Sequence, residues 1–241
     1  MLNYTESHKR EEKGRQYDDH YGRDPWHRFL WSREQIALKK LIDKYYQDRE
    51  IHLLDFACGT GRITGFLENY ATTSVGVDVS SSMLERAKLK LQKTELIKGD
   101  IIEKNFLEGR RFNLIVAFRF FLKADPELRE AALKSLIPLL DKDGCFVFNN
   151  HRNRTSPLVR YKYGRGHKKR SFLSMQEMHK LVNDAGLEIV KIFPIGYFPL
   201  HKRKVPTLLN EFIDNIAVKF KGLHDYSESP IAVCRLSPKA Q

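Results

Sequence analysis

The sequence predicts a doubly wound α/β fold, a mostly parallel sheet with helices on both faces. Two observations carry that expectation. Short apolar runs alternate with amphipathic stretches between residues 53 and 149, the order that strand–helix–strand units impose. The first run, Leu53-Leu54-Asp55-Phe56, passes through Ala57-Cys58-Gly59-Thr60-Gly61 into a helical pattern. A strand, a tight small-residue turn and a helix N-terminus form the ligand-holding corner of such folds.

The elements follow in order. Residues 1–24 are polar, with the charge run His8-Lys9-Arg10-Glu11-Glu12-Lys13, and are expected to fray at the start. Asp24-Pro25 reads as an N-cap with proline at the first helical position. Ser32 to Gln35 adds a capping-box pattern before Leu38, Leu41, Ile42 and Tyr45, which share one helical face. Strands are predicted at 53–56, 74–78, 95–99, 114–118 and 145–149, and helices at 62–70, 81–92 and 126–137. Ile63, Phe66, Leu67 and Tyr70 have the spacing of a buried helical face. Pro138 is expected to end or kink the third of these helices, and Asp143-Gly144 turns the chain into the next strand. A capping box at Ser174-Met175-Gln176-Glu177 opens another helix, followed by a strand near 188–195. Leu209, Phe212, Ile213, Ile216 and Phe220 then share a helical face, and Ile231-Ala232-Val233-Cys234 reads as a last strand.

Composition narrows the class. The chain has 241 residues, 41% of them hydrophobic, enough for one compact domain with a sizeable core. No apolar run approaches the ~20 residues of a membrane span, and no signal-peptide pattern opens the chain, so a cytoplasmic protein is expected. The three cysteines, Cys58, Cys145 and Cys234, lack metal-ligand spacing and read as reduced thiols; no metal site is expected. The net charge of +12 favours an anionic partner: nucleic acid, a phosphorylated or carboxylated small molecule, or an anionic membrane surface.

Which ligand the turn holds follows from what it lacks. A dinucleotide fingerprint needs a third glycine where Thr64 stands, and a P-loop needs lysine where Arg62 follows Gly61. Instead, acids end or follow successive strands: Asp55, then Asp78, 17 residues after Gly61, then Asp100. An acid ~20 residues beyond the turn accepts ribose hydroxyls in such folds. Three strand-end acids without a phosphate-binding lysine suit a ligand with ribose, an amine and no pyrophosphate. The run Asp55 to Gly61, with Gly76-Val77-Asp78 and Gly99-Asp100-Ile101, resembles the class I S-adenosylmethionine-dependent methyltransferases, which have a Rossmann-like fold. The likeness covers roughly residues 36–241, with its specific motifs between 53 and 150.

The resemblance implies a seven-stranded sheet in the order 3-2-1-4-5-7-6, its last two strands antiparallel. It divides a single domain, 1–241, into an N-terminal helical lid (1–50), a cofactor-binding half (51–150), and a substrate lid with the antiparallel edge (151–241). The cofactor implied is S-adenosylmethionine, held by Asp55, Ala57, Cys58, Gly59, Thr60 and Gly61 around its methionine part. Asp78 is expected at the ribose and Asp100 with Ile101 at the adenine; Val79, Met83 and Phe118 are further cofactor-binding candidates, and Tyr21 (with Tyr17 beside it in the lid) is expected to close over the site. Ala57 stands where the family's first glycine is usual, which restricts close approach slightly.

Substrate is expected outside the carboxyl ends of the strands. Phe118-Arg119-Phe120-Phe121 lacks the Asn/Asp-Pro-Pro-aromatic motif of many base-nitrogen methyltransferases. Arg119 is a candidate for a substrate anion, with pairing to a nearby acid as the alternative. His151, in Asn149-Asn150-His151-Arg152-Asn153, is a candidate general base, or else a hydrogen-bonded structural residue. Asn150 is a candidate for orienting a polar group. The acid-free run 152–170 carries basic residues interleaved with Tyr161 and Tyr163, the pattern of a lid for an anionic substrate or of a surface for RNA. The expected function is therefore methyl transfer to oxygen or nitrogen of a small or glycan-like, anionic acceptor. The alternatives are an RNA methyltransferase and a non-catalytic cofactor-binding partner protein.

Overall fold

The computed structural model describes residues 24–104, 106–163, 172–197 and 207–238. Tyr17, Tyr21 and most of the basic run after Tyr163 lie outside the described residues. The chain forms α1 (Pro25–Tyr45), β1 (His52–Phe56), α2 (Arg62–Leu67), β2 (Thr73–Asp78), α3 (Ser81–Lys88), β3 (Thr94–Lys98), β4 (Phe112–Ala117), α4 (Pro126–Leu136) and β5 (Leu140–Asn149). It continues through α5 (Pro157–Tyr163), α6 (Met175–Asp184), β6 (Leu187–Phe193), α7 (Thr207–Ala217) and β7 (Ile231–Leu236). The seven strands lie in the expected order, β3-β2-β1-β4-β5-β7-β6. β1 to β5 pair in parallel, and β7 runs antiparallel to both β5 and β6.

Alternation along the central strands divides two cores. Leu54, Phe56, Ile115, Ala117, Phe146 and Phe148 pack with α4 and α6 on one face. Leu53, Leu114, Val116, Cys145 and Val147 pack with Phe29, Leu30, Leu38 and Leu41 of α1 on the other. A sheet buried on both faces needs apolar residues at both parities, which is why these strands read as continuous runs.

Local chemistry sets the ends. Asp24 caps α1, its Oδ1 accepting from the backbone N–H groups of Trp26 and His27 at 2.8 and 3.0 Å. The capping-box pattern at Ser32 does not start a helix. Ser32 lies inside α1, its hydroxyl donating back to the Phe29 carbonyl at 2.8 Å. α2 is shorter than its periodicity predicts, because the Asn69 amide donates to the Gly65 carbonyl at 2.9 Å and closes the last turn. Tyr70 consequently falls outside the helix and is exposed. α3 stops at Lys88, and the Glu68 carboxylate receives the N–H groups of Gln92 and Lys93 at 3.2 Å as the chain enters β3. The box at Ser174 is reciprocal: Ser174 Oγ accepts from the Glu177 N–H, and Glu177 accepts from the Ser174 N–H at 2.7 Å.

Candidate active site

The turn after β1 is held in a strained shape. Ala57, Gly59 and Gly61 all have left-handed φ, at 56°, 57° and 75°. Gly61 is doubly required, since a Cβ there would also lie 2.9 Å from the Leu91 side chain. A Cβ at Gly59 would meet nothing within 4 Å, so open space remains beside that backbone. The Cys58 N–H donates to the Val77 carbonyl at 3.0 Å and ties the turn to β2. Thr60 Oγ1 is buried in the wall of the adjoining cavity with no hydrogen-bond partner.

Asp55 lies behind this turn rather than in the cavity wall. Its carboxylate accepts from the Thr64 hydroxyl at 2.5 Å, bracing β1 against α2. Burial pushes its pKa up to about 7, against the opposing effect of the Thr64 bond.

A cavity of about 330 Å³ opens at the carboxyl ends of β1 to β5. Asp78 and Asp100, after β2 and β3, form its acidic side, with Val79, Met83, Gly99 and Ile102 as neighbours. Asp78 accepts from the Gly59 N–H and the Ser80 N–H, both at 2.8 Å, so it joins the turn to the end of β2. Burial raises its pKa, and these backbone donors oppose the rise. Asp100 accepts from the Ile102 N–H at 3.0 Å. This local turn sends Ile101 into the core and brings Ile102 to the cavity.

The opposite side is cationic. Arg119 follows β4 and Arg152 follows β5, both with left-handed φ (65° and 61°); with Ala57 they are the non-glycine residues of that kind among those described. Left-handed backbone at a side chain other than glycine is strained, and here every instance lines the cavity. The Arg119 N–H donates to Asn149 Oδ1 at 2.7 Å, which fixes the bend. Arg119 also pairs with Glu34 of α1 at 2.9 Å, and Arg62 reaches the other oxygen of Glu34 at 2.6 Å. Burial works to raise the Glu34 carboxyl, but the two guanidinium groups overcome it and hold it below the usual range. Arg119 thus has the acid partner offered as its alternative role, while still lining the cavity. Arg62 is further set by the Trp31 ring, 4.5 Å from its guanidinium carbon.

His27 and His151 complete this side, and Lys123 also lines the cavity. His151 is buried, its Nδ1 3.2 Å from Ser229 Oγ. Burial, then Arg119, Arg152, His27 and Arg62, holds its pKa well below the ordinary histidine value, so the ring is neutral. Phe118 also lines the cavity. Asn150 does not: its amide donates to the Leu173 carbonyl at 3.1 Å and ties the end of β5 to the approach to α6. Tyr161 points into solvent, 91% exposed. Tyr163 lies one layer behind the wall, its ring 5.0 Å from the Arg152 guanidinium.

Sequence reasoning missed Glu34, His27, Arg62, Lys123, Ile102 and the direct part of Arg152. Glu34 carried a signal: with Leu30, Leu38 and Leu41 it falls on the apolar stripe of α1, and an acid on such a stripe must find a buried cation.

A profile of the methyltransferase domain family matches residues 53–144. An uncharacterized methyltransferase of Oceanobacillus iheyensis is 26% identical over 212 residues, 87% of this chain and 88% of that protein. A malonyl-[acyl-carrier protein] O-methyltransferase of Priestia megaterium is 25% identical over 193 residues, 73% of this chain and 66% of the relative. Among solved structures, magnesium protoporphyrin IX methyltransferase from Synechocystis with bound S-adenosylhomocysteine (SAH) superposes with a TM-score of 0.60 at 14% identity. That alignment covers 88% of this chain and 87% of the other.

Proposed function

From the premise that this chain belongs to the class I S-adenosylmethionine-dependent methyltransferases, we propose that its acceptor is a small or glycan-like anionic molecule, methylated at oxygen or nitrogen. The observation that carries this reading is the division of charge across the cavity. Strand order puts β2 and β3, with Asp78 and Asp100, on one side of β1, and β4 and β5, with Arg119, His151 and Arg152, on the other. The split falls where the strand order reverses, the place at which open α/β sheets bind ligands.

The residues of the acidic side fit the cofactor. Asp78 would take the ribose hydroxyls and Asp100 the adenine amine, while the turn from Ala57 to Gly61 would take the amino-acid part. The partnerless Thr60 hydroxyl and the open space beside Gly59 are what such a ligand would use. S-adenosylmethionine, when bound, supplies a methyl group activated by its sulfonium. The chain's own work is to align an acceptor with that methyl and to exclude water.

Arg119 and Arg152 would align the acceptor through its negative charge, with His27 beside them. The bends set where the two side chains leave the backbone, and the Glu34 carboxylate and the Tyr163 ring hold their guanidinium groups, so less side-chain freedom is left to lose on binding. His151, neutral and pinned by Ser229, would hydrogen-bond the attacking atom. An acceptor anion would also offset the guanidinium charges that depress this imidazole, so its basicity would rise as substrate binds. A carboxylate acceptor would need no base at all, because it arrives deprotonated.

The test follows a radiolabelled methyl group from S-adenosylmethionine into a cell extract separated into small anions, small neutral molecules and total RNA. Label in the small-anion fraction, insensitive to nuclease and lowered by Arg152→Ala, is expected. Label confined to nuclease-sensitive material or to neutral molecules would overturn the proposal.

A further inference from the structure

α7 is an amphipathic helix mounted inside out. Two of its polar residues face the body: Asn210 and Asp214 are buried, and Asp214 accepts from Arg33 Nε at 3.1 Å and from the Gly196 N–H at 2.9 Å, while Asn215 is exposed. Its apolar residues face away, with Leu208 76% and Phe212 62% exposed and Leu209 and Ile216 also exposed. The stripe continues past the helix through Phe220 and Leu223. At 100° per residue, Leu208, Phe212, Ile216 and Leu209 span one side, opposite to Asn210, Asp214 and Ala217. A contiguous apolar patch of this kind marks a surface that another body covers.

The charge around it says which body. Lys219 and Lys221 are exposed beside Phe220. Between Leu208 and Leu223 no acid is exposed: Glu211 is half-buried and Asp214 is fully engaged with the body. In the sequence, Lys202-Arg203-Lys204 also precede the helix, in a chain of net charge +12. A second copy on this face would bring like charges together. An anionic bilayer would take both features, the apolar stripe among its acyl chains and the lysines at its headgroups. The helix has 11 residues, far short of a span, so it would lie in the plane of the interface.

We propose that the outward face of α7, continued by Phe220 and Leu223, is a peripheral docking surface for an anionic membrane. The face is one helix from the cavity, since Arg33, which holds α7 through Asp214, precedes Glu34, which holds Arg62 and Arg119. The protein would therefore work at a bilayer surface with its cavity close to it.

The experiment is flotation of the full chain with vesicles of phosphatidylcholine alone or with about 30% phosphatidylglycerol. Wild-type protein should float with the anionic vesicles and bind the neutral ones about tenfold less well or worse. Phe212→Asp and Ile216→Asp should each reduce binding about tenfold, and Lys219→Glu with Lys221→Glu should remove the preference for anionic lipid. Both aspartate variants replace exposed side chains, and unchanged circular dichroism and SAH affinity would show that the fold is kept. Wild-type protein that stays below both vesicle types would overturn the proposal. So would full vesicle binding by Phe212→Asp, or a dimer seen in light scattering that Phe212→Asp dissolves. No acceptor is used, so failure here is separate from failure of the acceptor reading.

Discussion

Replacing Glu34 by glutamine takes one negative charge from between two guanidinium groups while keeping nearly the same volume. The carboxylate is fully buried, and the side chains of Arg62 and Arg119 are 16% and 11% exposed. Each charge-assisted hydrogen bond in such a site contributes about 1.5–3 kcal/mol. Glutamine keeps one acceptor oxygen, so one bond weakens and the other is lost. The larger effect is that two cations then face one another, and removing one member of a buried ion group costs about 3–5 kcal/mol. The small exposure of both arginines lets water offset part of this, which places the expected loss near 3 kcal/mol at neutral pH. Urea unfolding followed by circular dichroism reads it.

The pH dependence gives a second readout. The Glu34 carboxyl has a native pKa below its unfolded value of 4.5, so the stability it contributes is present above that value and is lost as pH falls through the native one. The gap between wild type and Glu34→Gln should therefore narrow in acid. Because Arg119 lines the cavity, acceptor kcat/KM should fall more than SAH affinity does. A loss under about 1 kcal/mol with no change in the gap across pH would refute the reasoning, showing that the arginines find other counter-charges.

Three further outcomes follow from the turn and its braces. Asp78→Asn should weaken SAH binding by about 1–3 kcal/mol in calorimetry, and unchanged affinity would mean the ribose lies elsewhere. Asp55, with its pKa raised to about 7, binds a proton in the native state that the unfolded chain has already released, so stability should decline as pH rises from about 4 to 7. Asp55→Asn keeps the acceptor for Thr64 without titrating, and should flatten that decline in unfolding curves taken at pH 5 and pH 8; parallel declines would show that Asp55 ionises normally. Ala57→Gly should stabilise by about 0.5–1 kcal/mol, because relief of a left-handed alanine outweighs the added freedom of the unfolded chain. A destabilised variant would show that the methyl group packs.

The strand order and the acidic side of the cavity were legible because each rests on a local pattern. Apolar runs, a small-residue turn and acids at strand ends are contiguous in sequence, and the sheet then brings them together without further instruction. The cationic side was legible only in part. Arg119 and His151 stood out by lying just past predicted strands, but the partner that fixes Arg119 comes from Glu34, 85 residues earlier, through a contact between elements. Local spacing could also mislead. Asn150 and Ile101 sit beside residues that line the cavity, yet the Asn150 amide is tied to the Leu173 carbonyl and the turn at Asp100 sends Ile101 into the core, while Tyr161 faces solvent from α5.

α7 shows the deeper limit of periodicity. Its apolar spacing correctly marked a helix with one hydrophobic face, but a period cannot say whether that face looks inward or outward. The orientation is decided by Asp214. Its buried carboxylate accepts from Arg33 and from the backbone at Gly196, bonds that would be forfeited if the helix rotated to bury Phe212. Burial raises the Asp214 pKa, and Arg33 with the backbone donors opposes the rise, so the polar face is held in by its own hydrogen bonds. A helix that keeps polar groups against the body and leaves Leu208 and Phe212 outside trades burial for a surface, and the lysines beside that surface set what it can meet.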